Sequence, residues 1–217
     1  SINLVLRKGA LDAFDTVFCA NDSVYHEIRA QEQVYGLKEK KLIKYGYALI
    51  DNMITAYNTQ TACNNNRPQI MIAPSWQEDN IMDSCIDQIL GCLLPFNYEI
   101  ILRPHPQYVR HYQEKLNELQ EKYKQNKNFT LQTDFSSNET VFHSDTLITD
   151  RSGTAYEYSF TTLKPCLFIN TPMKIMNPDY RDVDIVPFDI EIRDKIGIEL
   201  ELSEINTIAA TCEKLLH

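Results

Sequence analysis

Phe142-His143-Ser144-Asp145-Thr146-Leu147-Ile148-Thr149-Asp150-Arg151-Ser152-Gly153-Thr154-Ala155-Tyr156-Glu157-Tyr158 reads as a strand, a sharp turn and a helix start. Thr146 to Thr149 is a short apolar, β-branched run of the length of a buried strand. Asp150, Ser152 and Thr154 are residue types that cap helices, and Gly153 frees the backbone for a tight turn. Thr154 and Glu157 stand at capping-box spacing. The helix then starts over Ala155 to Phe160. A helix N-terminus exposes unpaired N–H groups and carries partial positive charge, which makes it a seat for phosphate. Hydroxyls on Ser152 and Thr154 add donors there, and Arg151 adds a full charge. A capped helix that binds nothing carries the same residues, so the rest of the chain must decide between the two.

Working outward, strands alternate with helices. Strands are predicted at Asp15–Ala20, Lys41–Tyr45, Gln69–Ala73, Glu99–Leu102, Phe129–Leu131 and Cys166–Ile169. Helices are predicted from Asn21 or Asp22 to Tyr35, over Ala48–Tyr57, over Asp79–Cys92, over Tyr108–Tyr123, and from a Ser203 cap to the chain end. Ser136 or Ser137 caps a helical turn. In the third of those helices Ile81, Met82, Cys85, Ile86, Ile89 and Leu90 recur at helical spacing. Asn58–Pro68, with three consecutive asparagines, is a loop or linker. Thr171–Arg193 is irregular and holds three prolines. The pattern predicts an α/β fold, a Rossmann-like parallel sheet with helices on both faces. Ligands of such sheets bind beyond the carboxyl ends of the strands. Pro74 to Asp79, Arg103 to Pro106 and Asp150 to Thr154 all fall at such ends, and three polar clusters at equivalent places are better evidence of a site than one.

The bulk numbers narrow the classes. A net charge of -9 argues against broad nucleic-acid binding, which needs a basic surface, while a small phosphorylated ligand needs only a local cluster. No apolar run approaches the ~20 residues of a membrane span. Six cysteines include no Cys-x-x-Cys pair, so zinc is not expected and a reduced, cytoplasmic setting is. With six glycines and no Gly-x-Gly-x-x-Gly or Walker loop, a dinucleotide fingerprint or a P-loop is disfavoured. No cofactor and no metal are implied.

Arg103-Pro104-His105-Pro106 is the sharpest cluster. Its prolines stiffen the turn and hold His105 in place to donate to a phosphate or act as general acid. A histidine satisfied by a loop carbonyl is the competing reading. Arg103 offers a fork of donors for phosphate, or a structural pair for any nearby acid.

Taken together, Met71–Asn80 (MIAPSWQEDN), Glu99–Pro106 (EIILRPHP) and Asp145–Asn170 (DTLITDRSGTAYEYSFTTLKPCLFIN) resemble the CDP-glycerol glycerophosphotransferases of teichoic acid synthesis. That family shows a Pro-Thr-Trp-Arg-like segment, a Lys/Arg-x-His-Pro segment and an Asp-x-Leu-Ile-Thr-Asp-Tyr-Ser-Ser segment followed by Lys-Pro, in the same order. Lys41–Asp51 resembles its Gly-x-Pro-Arg-x-Asp turn. The resemblance runs from about Asp15 to Asn170. It implies the C-terminal, donor-binding half of a GT-B glycosyltransferase fold: one domain over residues 1–217, a fragment of a longer two-domain enzyme and inactive alone. By resemblance, Ser152, Gly153 and Thr154 match the pyrophosphate turn, with Arg151 beside it. His105 matches the motif histidine on the donor phosphates and is the catalytic candidate. Arg103 supports it, Glu157 is placed for ribose hydroxyls, and Ser75 and Trp76 flank the base. Gln77 stands for the family's Arg, Arg151 for its Tyr and Gly153 for its second Ser, which bears on the donor more than on the fold.

The implied reaction moves glycerol phosphate or a related alditol phosphate from a CDP-linked donor to an acceptor hydroxyl of a cell-surface polymer. The implied partners are that donor and an upstream acceptor-binding domain, not nucleic acid. The implied location is cytoplasmic, at the inner face of the membrane, with peripheral association through regions outside this chain. Two alternatives stand beside it: a sugar-nucleotide glycosyltransferase or epimerase of the same fold, and a non-catalytic nucleotide-binding domain.

Overall fold

A computed structural model describes residues 1–60 and 66–217. Of the segment read as a loop, 58–68, residues 61–65 lie outside the described residues, Cys63 among them. The strands are β1 (Thr16–Cys19), β2 (Lys41–Lys44), β3 (Gln69–Ile72), β4 (Glu99–Leu102), β5 (Phe129–Leu131), β6 (Thr146–Thr149), β7 (Cys166–Asn170) and β8 (Gly197–Glu201). The helices preceding the main sheet are α1 (Ile2–Val5), α2 (Asp22–Tyr35) and α3 (Ala48–Asn58). Within it run α4 (Ile81–Ser84), α5 (Ile86–Leu93), α6 (Pro106–His111), α7 (Gln113–Tyr123), α8 (Glu139–His143) and α9 (Thr154–Thr162). The last three are α10 (Phe188–Glu191), α11 (Arg193–Ile196) and α12 (Ile208–Leu216).

β3 to β8 form a parallel sheet in the order β5-β4-β3-β6-β7-β8. Counted within that sheet, this is the 3-2-1-4-5-6 order of a doubly wound dinucleotide-type fold, with its topological switch between β3 and β6. β1 and β2 pair apart from it, as a parallel two-stranded sheet. Alternation along the buried strands sorts the two cores. Ile70, Ile72, Ile148, Leu167 and Ile169 pack with Ile81, Ile89, Leu90, Leu93, Ile208 and Cys212 on one face. Met71, Ala73, Leu147, Cys166 and Phe168 pack with Met53, Phe142, Ala155 and Tyr158 on the other. Each fully buried aliphatic side chain contributes about 1.5–3 kcal/mol. The expected α/β fold with helices on both faces is the fold found.

Several boundaries differ. The helix expected over Asp79–Cys92 breaks at Cys85 (φ -153°, ψ 9°), and its cap is Asn80, which accepts from the Met82 N–H at 2.7 Å. Asp79 instead takes a left-handed turn, φ 57°. The helix expected over Tyr108–Tyr123 breaks at Tyr112, whose ring packs 4.7 Å from that of Tyr108. Ser203 does not cap the last helix: Glu201 and Glu204 form a capping box that opens a short 3₁₀ turn before α12. β8 was not foreseen. A Cβ on Gly197 would fall 2.0 Å from the Cys166 carbonyl oxygen, so this edge strand lies against β7 only because its first residue has no side chain.

Candidate active site

The ends of β3, β4 and β6 meet at the switch point, and one buried carboxylate ties two of them. Asp150 is 1% exposed. Its Oδ1 accepts the N–H of Ser75 at 2.8 Å and of Arg151 at 2.7 Å, and its Oδ2 accepts that of Ile81 at 3.1 Å. Thr149 Oγ1 adds a bond to the Ala73 carbonyl at 2.7 Å. The Pro74–Asn80 loop is thereby fixed to the turn after β6. The sequence offered Asp150 only as a cap-type residue. Its reach to Ser75 crosses 75 positions and leaves no local signal.

Arg103, His105, Ser152, Thr154 and Glu157 line one cleft at these ends. His105 caps α6, its Nδ1 accepting the Gln107 N–H at 3.1 Å, with Pro106 at the first helical position. A backbone N–H can only donate, so Nδ1 holds a lone pair and the neutral ring carries its proton on Nε2. Partial burial, aided by the charge of Lys174, pushes the His105 imidazolium below its usual range. The ring is therefore a neutral Nε2–H donor at pH 7. Arg103 donates to the Ser137 carbonyl at 3.2 Å and lies 5.3 Å over the Phe135 ring. Among the described residues it has no carboxylate in ion-pair range, and burial lowers its pKa. Asp134 is near enough to oppose that shift without pairing directly, so the Arg103 fork stays open to an anionic ligand.

The turn after β6 differs from expectation in two respects. Gly153 sits in the right-handed region, φ -63° and ψ -18°, so no left-handed turn requires a glycine. A Cβ there would meet nothing within 4 Å. The Thr154–Glu157 capping box does not form; instead the Thr154 N–H approaches Ser152 Oγ at 3.3 Å. Glu157 accepts the Tyr47 hydroxyl at 3.3 Å, and burial raises its carboxyl pKa. The Ser152 and Gly153 N–H groups have no partner among the described residues and stand free at the start of α9. We therefore expect Gly153→Ala to fold with unchanged or slightly raised stability, by up to about 1 kcal/mol, as thermal melts would register.

Ser75 and Trp76 divide. Ser75 is buried, and its Oγ has no hydrogen-bond partner. Trp76 does not line the cleft; its ring stacks 6.3 Å from His105 and 5.5 Å from His111, at 20° to each. Arg151 turns away from the cleft, donating from Nε and Nη2 to the Thr171 carbonyl at 3.3 and 3.2 Å. Tyr47 and Lys174 were not foreseen as neighbours of the site. An Asp-x-Asp pair stands at Asp182 and Asp184, but both are exposed and Asp182 accepts the Tyr35 hydroxyl at 3.2 Å.

The sequence matches the family described as CDP-Glycerol:Poly(glycerophosphate) glycerophosphotransferase over residues 8–183. No match is found among the curated proteins. The fold is similar to that of Methanocaldococcus jannaschii UDP-GlcNAc 2-epimerase in complex with UDP-GlcNAc and UDP, with a TM-score of 0.61 at 15% identity, over 94% of this chain and 54% of that one. It is also similar to a variant of the wall teichoic acid polymerase TagF, with a TM-score of 0.50 at 18% identity, over 93% of this chain and 51% of that one. The chain thus spans about half the length of the structures it matches. These likenesses bear on the fold, which is of the GT-B type. Among the described residues, no helix is long and apolar enough to cross a membrane.

Proposed function

The chain belongs to the CDP-glycerol:poly(glycerophosphate) glycerophosphotransferase family, and from that premise we propose that it is the donor-binding half of a transferase. The reaction proposed moves glycerol phosphate or a related alditol phosphate from a CDP-linked donor to a hydroxyl of a cell-surface polymer. The observation that carries this reading is the convergence of three anion-ready groups on one cleft: the His105 Nε2–H, the unpaired Arg103, and the free N–H groups after β6.

In this reading the acceptor oxygen attacks the transferred phosphorus and CMP leaves with the bonding electrons. Charge then grows on the leaving phosphate. The N-terminal end of α9 and the Arg103 guanidinium stabilise that charge, and His105 donates a hydrogen bond or its Nε2 proton to the same oxygen. The Asp150-held loop gives Pro74 to the cleft wall, and Trp76 stacks on His105 beside it. Glu157, beside Tyr47, lies within the same cleft as a ribose-hydroxyl acceptor. The base that deprotonates the acceptor is assigned to an upstream acceptor-binding domain, so this chain alone binds without turning over.

Calorimetry with CDP and with UDP, alongside a transfer assay, tests this. CDP is expected to bind more tightly than UDP, with no transfer by the isolated chain. Binding of UDP in preference to CDP would move the reading to a sugar-nucleotide enzyme. Failure to bind either nucleotide would overturn it.

A further inference from the structure

A second cavity lies on the β7 side of the Ser152 turn, lined by Arg151, Ser152, Tyr156, Phe168, Lys174 and Arg193 among others. Arg193, the first residue of α11, is 2% exposed. Its guanidinium lies 4.4 Å over the Phe168 ring and donates from Nη2 to Asn170 Oδ1 at 2.8 Å. Its Nε is buried without a hydrogen-bond partner, although the Glu199 carboxylate lies 3.3 Å away. Arg151 lines the same space and has no carboxylate in ion-pair range among the described residues.

Of the neighbouring acids, Glu199 pairs with Arg193, while Asp150 and Asp189 accept from other donors. Asp150 accepts three backbone N–H groups. Asp189 accepts the Tyr156 hydroxyl at 2.7 Å. Burial, and after it the charge of Arg151, pushes the Arg193 guanidinium down to about 10. Glu199 offsets one of the two guanidinium charges, which leaves Arg151 without a carboxylate of its own among the described residues. Planar guanidinium forks match phosphoryl oxygens in shape as well as charge.

We propose that the Arg151–Arg193 cavity is a second oxyanion subsite, which takes a phosphoryl group in addition to the one at the Ser152–Thr154 turn. The proposal rests on the donor reading in that the first anion is taken to be the donor pyrophosphate. Ser152 lines both spaces, so the two phosphoryl groups belong to substrates bound side by side. The second group is either a phosphate monoester on a small substrate or a phosphodiester within the acceptor chain. Both present the same oxyanion to the arginines.

The test saturates the chain with CDP and titrates glycerol 3-phosphate, as monoester, and dimethyl phosphate, as diester. The same titrations are run on Arg151→Gln and Arg193→Lys, with melting curves for each. One probe is expected to bind with unit stoichiometry and to lose at least tenfold in affinity in both variants. A monoester preference identifies a small-substrate phosphate and a diester preference an acceptor phosphodiester; both outcomes support the subsite. Should Arg193→Lys fail to fold, Arg151→Gln, a half-buried position, decides alone. Should CDP itself fail to bind, the donor reading falls and the probes are titrated without it against the same variants. The subsite is overturned if neither probe binds, or if both bind the variants as they bind the parent chain.

Discussion

Replacement of His105 by Ala in the complete enzyme is expected to lower turnover roughly 10²–10³-fold, the range of a lost proton or oxyanion donor. The same change removes the α6 cap and should cost about 1 kcal/mol of stability. His105→Asn separates the two roles. Asn is among the best capping residues, so its side-chain oxygen can take over the Gln107 N–H now held by Nδ1 at 3.1 Å. It has nothing at the position of Nε2. Stability should therefore return in His105→Asn while turnover stays low. Steady-state kinetics beside thermal melts read both quantities. Recovery of turnover along with stability would reduce His105 to a cap.

Asp150→Ala is expected to be the most destabilising change at the site. Three backbone N–H groups, of Ser75, Ile81 and Arg151, lose their acceptor, two of those bonds being fully buried. At about 1–3 kcal/mol for each buried donor left unpaired, the loss should total about 3–5 kcal/mol. In a chain of this size that corresponds to a fall in melting temperature of roughly 10 °C. Asp150→Asn should fall between. Its oxygen can still serve Ser75 and Arg151, but its amide then faces the Ile81 N–H, donor against donor. Nucleotide affinity should drop in parallel, because the Pro74–Asn80 loop and the turn after β6 lose the tie between them. Differential scanning calorimetry gives the stability, and an Ala variant melting within 2–3 °C of the parent would remove Asp150 from this role.

The fold was legible where burial alone sets the pattern. Glu99–Leu102, Phe129–Leu131 and Thr146–Thr149 are strands at the residues read from sequence, because apolar β-branched runs bounded by polar turns admit little else. β8 escaped because only Leu200 of its five residues is buried, and an edge strand opening with Gly197 resembles a loop. The break at Tyr112 escaped because its ring packs against Trp76, 36 residues away, and nothing local in the sequence signals the break at Cys85 or the turn at Asp79. At the site, the residue types and their strand ends were readable, and the structure brings Arg103, His105, Ser152, Thr154 and Glu157 to one cleft. The direction of Arg151 was not readable, since it is set by the Thr171 carbonyl twenty residues away. Nor was the order of the strands, which fixes the switch point and requires long-range pairing to appear.

Trp76 is the only tryptophan in the chain, and it is stacked against both His105 and His111. Its indole fluorescence therefore comes from beside His105 and from nowhere else in the molecule. Ligand entry, rotation of the His105 ring, or a charge arriving on either imidazole will each alter that emission. The protein thus carries its own optical probe beside His105, and changes at that residue can be followed in stopped flow without a label or a second reporter residue.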